Sequence, residues 1–376
     1  MMRIGVMLRA FDEKGGVGVY TRNIINELLR LDTANEYVLY YADPGNVGRF
    51  AGCGNVVEKW ISARHKGMWD QLSIPLACRR DRIDVVFHPK FTAPLLAPCK
   101  VVMVVHGADW LLPEQARFYS RIDVMYMRLI MPLYIKKCAS VISVSRLTTE
   151  NFNRALGLTG HNGHKIKTVY FAPARHFKRV DDAEELKAVK AYYRLPEKFI
   201  FTLAKPGDGG RKNLGRIFKA YQQYHGRVHA PYKLVVGGKD GERLKSEWPL
   251  AGNVESDIVF PGWIEQKDLP AVYTLSALFL YPSNLEAFPI PITEALACGT
   301  PIVTSNVNGL EELAGDAAVR VDPKDTAAIS SALMQLSVDE ALRKTLSERG
   351  IERSKRFSWD VCAGETLAII ESCAGG

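Results

Sequence analysis

The sequence predicts two α/β domains in tandem, each a doubly wound parallel sheet with helices on both faces. Three observations predict this. Short apolar runs without polar alternation recur from residue 3 to residue 321, the pattern of strands buried on both faces. Amphipathic stretches fall between them, so parallel strands are joined by helical crossovers. The chain of 376 residues exceeds one ordinary core, and its strands fall into two sets on either side of residue 180.

In the first set the strands are expected at 3–8 (RIGVML), 37–41 (YVLYY), 84–87 (DVVF), 100–105 (KVVMVV), 139–144 (ASVISV) and 166–170 (IKTVY). In the second they are expected at 198–203 (KFIFTL), 232–236 (YKLVV), 257–260 (DIVF), 277–281 (ALFLY), 301–304 (PIVT) and 317–321 (AAVRV). Helical patterns cover 18–31, 114–137, 212–225, 268–275, 292–297 and 325–336. The boundary is read in "FAPARHFKRVDDAEELK", residues 171–187, where a strand meets proline and charge turns from basic to acidic. This gives a first domain at 1–178, a second at 179–357, and a separate amphipathic helix at 358–376 expected to return to the first.

Composition places the chain among globular proteins, with 47% hydrophobic and 24% charged residues. No run approaches the roughly 20 apolar residues of a membrane span. "MMRIGVMLRAF" has no small-residue cleavage site and reads as a first strand rather than a signal peptide. Seven scattered cysteines without a C-x-x-C pair read as reduced thiols in a cytoplasmic protein. Charge is uneven. Residues 1–180 hold 26 Lys/Arg against 14 Asp/Glu, a net +12, while residues 181–376 hold 23 against 27, a net −4. A basic first half suits an anionic partner such as a phosphate-bearing substrate or a membrane surface. The stretch "EQARFYSRIDVMYMRLIMPLYIKK" (114–137) could touch a bilayer, but a buried helix face is the preferred reading for most of its residues.

In open α/β sheets ligands gather at the carboxyl ends of strands, and four segments fall there. "KGGVGVYTRNI" (14–24) puts Gly15, Gly16 and Gly18 at a strand-to-helix turn, which serves either close backbone approach to a ligand or the turn itself. Its spacing is not the dinucleotide fingerprint, and no ribose-holding acid follows. "KPGDGGRKNLGRI" (205–217) joins glycines to Arg211 and Lys212 before a helix, either a phosphate cradle or a solvated basic loop. "YPSNLEAFPIPITEALACG" (281–299) carries Glu286 in a loop and Glu294 in the expected first turn of a helix opened by proline. Carboxylates so placed can accept hydrogen bonds from vicinal hydroxyls. His106 closes the strand "KVVMVVH", where it could bond a substrate, shuttle a proton or act structurally. No metal site is expected, since His161 and His164 lack nearby acidic or thiol partners and no D-x-D set ends a strand.

These segments together resemble the retaining glycosyltransferases of family 4. "YPSNLEAFPIPITEALACGTPIVTSNVNGLEELAGDAAVRVDP" is similar to the family's E-x7-E segment. "GGVGVYTRNI", "VVMVVHGADWLLPE", "GGRKNL" and the C-terminal "FSWDVCAGETL" resemble its other landmarks. The resemblance implies the GT-B fold, two Rossmann-like domains facing a central cleft. It implies that Gly16 and Gly18 approach the donor diphosphate or acceptor, and that Arg211 and Lys212 neutralise the diphosphate. Lys205 stands nearest to the family's upstream phosphate-binding arginine. Glu294 would hold the ribose of the nucleotide. His106, Glu286, Ala287 and Phe288 would surround the transferred sugar, with His106 and Glu286 at the reacting centre. Ala287-Phe288-Pro289 replaces the family's usual Gly-Phe-Gly, and Pro289 brings no N–H.

The implied function is transfer of a mannose- or rhamnose-like hexose, with retention and without a metal, from a GDP-, UDP- or dTDP-linked donor to a glycan or lipid-linked acceptor. The nucleotide sugar is a co-substrate, so no cofactor is implied. The basic domain would meet an anionic membrane peripherally, and nucleic acid is not an expected partner. The rival readings are another GT-B activity such as nucleotide-sugar epimerisation, a nicotinamide-dependent oxidoreductase, and a non-catalytic basic binding protein.

Overall fold

A computed structural model describes residues 1–376 apart from 14, 109, 117–118, 159–164, 205–206, 208–209, 248–251, 308 and 375–376. The chain divides into two units, the first formed by Met1–Ala172 with Ser358–Gly376 and the second by Pro173–Phe357.

Among the described residues, unit 1 holds a seven-stranded parallel sheet in the order β3-β2-β1-β4-β5-β6-β7. Its strands are β1 (Arg3–Met7), β2 (Glu36–Tyr41), β3 (Val56–Trp60), β4 (Val85–His88), β5 (Lys100–Val105), β6 (Ser140–Ser143) and β7 (Ile166–Thr168). Six of them match the continuous apolar runs. The exception, β3, is an edge strand whose residues are only half-buried or exposed, so "VVEKW" carries no unbroken apolar signal. Unit 2 holds a six-stranded parallel sheet in the order β10-β9-β8-β11-β12-β13. These are β8 (Phe199–Leu203), β9 (Lys233–Gly237), β10 (Ile258–Gly262), β11 (Leu278–Tyr281), β12 (Ile302–Ser305) and β13 (Ala318–Val321).

In each sheet the strand order reverses beside the first strand. The switch point lies between β1 and β4 in unit 1 and between β8 and β11 in unit 2. Loops leaving two such strands diverge to opposite faces and open a crevice at their carboxyl ends. The loops after β8 and β11 are the ones that carry Arg211, Lys212 and Glu286.

The units divide at Ala172/Pro173 rather than at 178/179. The reason is that residues 173–180 are tied to unit 2: the Val180 N–H donates to Thr274 Oγ1, His176 Nε2 to the Gln266 carbonyl, and Phe177 packs on Tyr273. The helix Trp359–Ala374 packs in unit 1. Trp359 stacks on Phe171 and lies against Tyr20, Asp360 pairs with Arg30, and Glu371 accepts from Asn35 Nδ2.

The expected helix over 114–137 is two elements, Pro113–Ala116 and Arg121–Lys137, the second capped by Ser120, whose Oγ accepts from the Asp123 N–H. Its burial also departs from expectation. Met127, Met131, Tyr134 and Ile135 face the core, but Ile122, Met125, Tyr126, Leu129 and Leu133 face solvent. A helix apolar on all sides can bury only the side that meets the sheet. Among the described residues no helix is long and apolar enough to cross a membrane.

Candidate active site

Of the side chains of unit 2 that the sequence singled out, four charged ones, Arg211, Lys212, Glu286 and Glu294, converge at its switch point. Asn213, in the left-handed conformation at φ 63°, turns the loop after β8 into the helix Leu214–His225. Its buried amide donates to the Pro282 carbonyl at 2.9 Å and the Pro323 carbonyl at 2.6 Å, locking this loop to those after β11 and β13. Two further bonds bind the loops together. Asn284 N–H and Ser283 Oγ donate to the Arg211 carbonyl at 2.8 and 2.9 Å.

Glu286 is buried at the centre of this framework. Arg211 Nη1 donates to its Oε2 at 2.7 Å, and Tyr281 OH donates to its Oε1 at 2.7 Å, with Ser283 Oγ at 3.3 Å. Lys212 Nζ donates to the Tyr281 hydroxyl at 3.0 Å and lies 4.9 Å from the centre of that ring. Two cations are thus tied to one acid, Arg211 directly and Lys212 through the Tyr281 phenol. Tyr281 was read only as the last residue of a strand; its site role shows when the neighbouring strand's loop is brought beside it.

Glu294 departs from expectation. The helix runs Ile290–Ala297 with Pro291 in its opening positions, so Glu294 lies beyond the first turn and the helix N-terminus does not explain it. It is buried, accepts from Tyr273 OH at 3.2 Å, and burial pushes its carboxyl up to about 7. The Tyr273 bond and the positive charge of Lys212 pull in the opposite direction and are outweighed. A carboxylate kept half-protonated near neutral pH is poorly compensated by the protein itself and gains from hydroxyl donors.

The loop between the two acids is held from behind. Gly309 donates its N–H to the Glu286 carbonyl at 3.2 Å, and a Cβ there would sit 2.5 Å from the Ala287 carbonyl oxygen. Phe288 turns its ring onto Phe357, so its side chain is part of the packing. Lys205 lies outside the described residues, as do His161 and His164.

In unit 1, His106 follows β5 and its Nε2 lies 2.9 Å from the Pro89 carbonyl. A carbonyl only accepts, so Nε2 carries the hydrogen and Nδ1 is the acceptor. Burial lowers this imidazole to about 4. It is therefore neutral at ordinary pH, which suits it to accept a hydroxyl and makes it a weak proton shuttle, contrary to one of the sequence readings. Its ring meets Tyr20 edge-on at 4.9 Å. Gly16 opens the helix Gly16–Leu31. Gly18 is required by packing, because a Cβ would fall 1.8 Å from the Glu13 carbonyl oxygen.

A polar group at the unit 1 switch point escaped the sequence reading. Arg9 binds Asp70 through two bonds of 3.0 and 2.9 Å, Thr92 Oγ1 donates to Asp70 Oδ2 at 2.9 Å, and buried His88 Nδ1 donates to the Thr92 carbonyl at 2.8 Å. Lys90 pairs with Glu13 beside it. No short motif links these residues, since they come from three separate segments, 9–13, 70 and 88–92. Among the described residues no group of three His, Cys, Asp or Glu side chains is placed to hold a metal ion.

Comparison with known proteins follows the same division. The family model "Glycosyltransferase Family 4" matches residues 14–170, and "Glycosyl transferases group 1" matches residues 188–353. An O-antigen chain mannosyltransferase B of Escherichia coli is 28% identical over 291 residues, covering 77% of this chain and 74% of the relative. A serotype-specific mannosyltransferase of the same organism is 30% identical over 355 residues; the match covers 89% of this chain but only 43% of that longer protein. The structure of Anabaena HepE in complex with UDP and glucose superposes with a TM-score of 0.74 at 16% identity, covering 99% of this chain and all of that one. At that identity the likeness speaks to fold alone.

Proposed function

From the premise that the chain belongs to the family 4 glycosyltransferases, with the GT-B fold of two Rossmann-like units, we propose that it moves a hexose from a nucleoside diphosphate sugar to a glycan or lipid-linked acceptor. The observation that carries the reading is the joined Arg211, Lys212, Tyr281 and Glu286 at the unit 2 switch point, with Glu294 close enough to feel Lys212. The two relatives reported above are named as mannosyltransferases, which makes mannose the first sugar to test.

In this reading unit 2 holds the donor and unit 1 the acceptor. Glu294 accepts the ribose hydroxyls. Arg211 and Lys212 hold the diphosphate, whose negative charge grows as the sugar departs; fixed cations stabilise that charge without reorganising. Arg211 is half-exposed and can turn from Glu286 to a phosphate, which leaves Glu286 Oε2 to a sugar hydroxyl. Ala287 and Phe288 border the sugar, and Gly16 and Gly18 bring backbone near the diphosphate or acceptor. His106 accepts a sugar hydroxyl through Nδ1. Transfer proceeds with retention and without a metal, Arg211 and Lys212 supplying the charge a metal would otherwise bring. Lys205 is assigned to the same phosphates by resemblance. A lipid-linked acceptor would bring the basic unit 1 to the cytoplasmic face of an anionic membrane, and nucleic acid has no part in the reading.

The test is nucleoside diphosphate release from GDP-mannose, UDP-glucose and dTDP-rhamnose, with and without oligomannose acceptors, the product's anomeric configuration being read by NMR. Acceptor-dependent release with retained configuration supports the proposal. Release of free sugar inverted at C2 without acceptor would replace it with epimerisation.

A further inference from the structure

His106 meets two aromatic rings of unit 1. Tyr20 stands edge-on to the imidazole at 4.9 Å, with the ring planes 79° apart, and Phe171 at 6.5 Å and 66°. Trp359 touches both of these rings, stacked on Phe171 at 6.2 Å and tilted against Tyr20 at 5.9 Å. Tyr20 and Phe171 also meet each other edge-on at 5.4 Å. All three aromatic residues are buried, whereas His106 is only half-buried. Offset and edge-to-face contacts at such separations are the favoured aromatic arrangements, so the three rings pack as one wall.

The wall is drawn from three distant parts of the chain. Tyr20 lies in the helix Gly16–Leu31, Phe171 stands one residue before the first stretch of unit 1 ends, and Trp359 opens the helix Trp359–Ala374. The imidazole is anchored by its Nε2–H, which donates to the Pro89 carbonyl at 2.9 Å. A single hydrogen bond sets the distance of one ring atom but leaves the plane of the ring free to swing. Rings packed against the imidazole remove that freedom. Among the described residues, Lys90 and Glu13 are the charged groups that reach it; they pair with each other and act on its proton affinity in opposite directions.

We propose that Tyr20, Phe171 and Trp359 are positioning residues for His106. Tyr20 and Phe171 set the plane of the imidazole and keep water from it, and Trp359 holds those two rings in place. Nδ1 then presents its lone pair in one direction, so little ordering remains to be done when a sugar hydroxyl arrives. Without the wall the imidazole could still bond Pro89, but it would be hydrated and would sample several planes. The three rings act through His106, and the proposal rests on the reading in which His106 meets the transferred sugar.

The test uses the full chain with Tyr20→Leu and Trp359→Leu, each alone and combined with His106→Ala, and with Tyr20→Phe, which keeps the ring. A cooperative melt qualifies each variant, and Trp359→Phe stands in where Trp359→Leu lacks one. Histidine signals are titrated by NMR without substrate, that of His106 being identified by its loss in His106→Ala. In the parent this imidazole should titrate near 4, and in both leucine variants it should move by roughly one pH unit or more toward 6.5 as water reaches it. Transfer from GDP-mannose to oligomannose should lose about tenfold in kcat, with KM for the donor changed less than about threefold. In the His106→Ala background the leucine substitutions should lower kcat no further, because coupled residues are not additive. Tyr20→Phe should keep the titration and the rate of the parent. An unmoved titration with unchanged kcat in both leucine variants, or an equal fall of kcat with and without His106, would overturn the proposal. A moved titration beside a His106→Ala variant as active as the parent upholds the wall and removes His106 from the sugar instead.

Discussion

Arg211 Nη1 donates to Glu286 Oε2 at 2.7 Å, so a cation from the loop after β8 and an acid from the loop after β11 close on each other at the switch point of the second sheet. Each group satisfies the other until a donor arrives, and each is assigned to a different part of that donor. Glu286→Gln keeps the shape and removes the charge. It should weaken a sugar nucleotide about tenfold or more, and the bare nucleoside diphosphate by only about threefold, by isothermal titration calorimetry. Equal losses for both ligands would remove Glu286 from the sugar.

Lys212 is proposed to meet a different portion of the ligand. Its ammonium donates to Tyr281 and offsets part of the burial of Glu294. Lys212→Met should cost sugar nucleotide and nucleoside diphosphate alike, by about 1.5–3 kcal/mol, the worth of a bond to a charged group. The nucleoside without phosphates should bind the variant as it binds the parent.

The proposed ribose role of Glu294 would tie donor binding to pH. Its carboxyl sits at about 7, raised by burial, and ribose hydroxyls favour the ionised form. Nucleotide affinity should therefore rise as pH increases, by about tenfold between roughly pH 6 and pH 8, and Glu294→Gln should flatten the profile. The stability of the unliganded protein moves oppositely. A carboxyl raised in the fold binds its proton more tightly there, so stability falls as pH climbs from about 4.5 to about 7. A nucleotide affinity that falls over the same range would contradict the ribose assignment.

Unit 1 has the reverse acid response. Burial lowers both His88 and His106 from 6.5 to about 4, so the unfolded chain takes up protons first as pH falls. Stability from each is present above about 6.5 and lost between there and about 4, on the order of 3 kcal/mol per histidine. Melting temperature against pH should fall across this window, and His88→Gln should make the fall shallower.

Gly309 guards the loop between the acids. In Gly309→Ala the new Cβ meets the Ala287 carbonyl oxygen, at 2.5 Å before any adjustment. Gly309→Ala should lose about 1–3 kcal/mol of stability and weaken the grip on sugar nucleotides, because the strain falls on the residues beside Glu286. Parallel denaturant melts and titrations would detect both.

Sequence made the architecture legible because parallel sheets buried on both faces write unbroken apolar runs. Only the half-buried edge strand β3 lacked one. It also placed Arg211, Lys212, Glu286 and Glu294 in one neighbourhood, since each follows a strand or opens a helix. It did not reveal Tyr281 and Tyr273, whose ring bodies belong to the core and whose hydroxyls reach the acids only across strands. Glu294 was credited to the helix N-terminus, but the helix begins two residues earlier, at Ile290, and desolvation governs the acid. The Arg9, Asp70, Thr92 and His88 group was hidden because its members come from separate segments. The outer stripe of the 121–137 helix was hidden because an apolar residue looks the same in sequence whether it faces a core or a solvent-exposed surface.

The most direct measurement is the melting temperature of the full chain with UDP, GDP, ADP and dTDP and their sugar conjugates, repeated with Glu294→Ala and Lys212→Ala. A ligand bound only by the folded state raises that temperature. The account predicts a clear rise for at least one sugar nucleotide, reduced in both variants. No rise with any donor, or a rise that both variants retain in full, would contradict it.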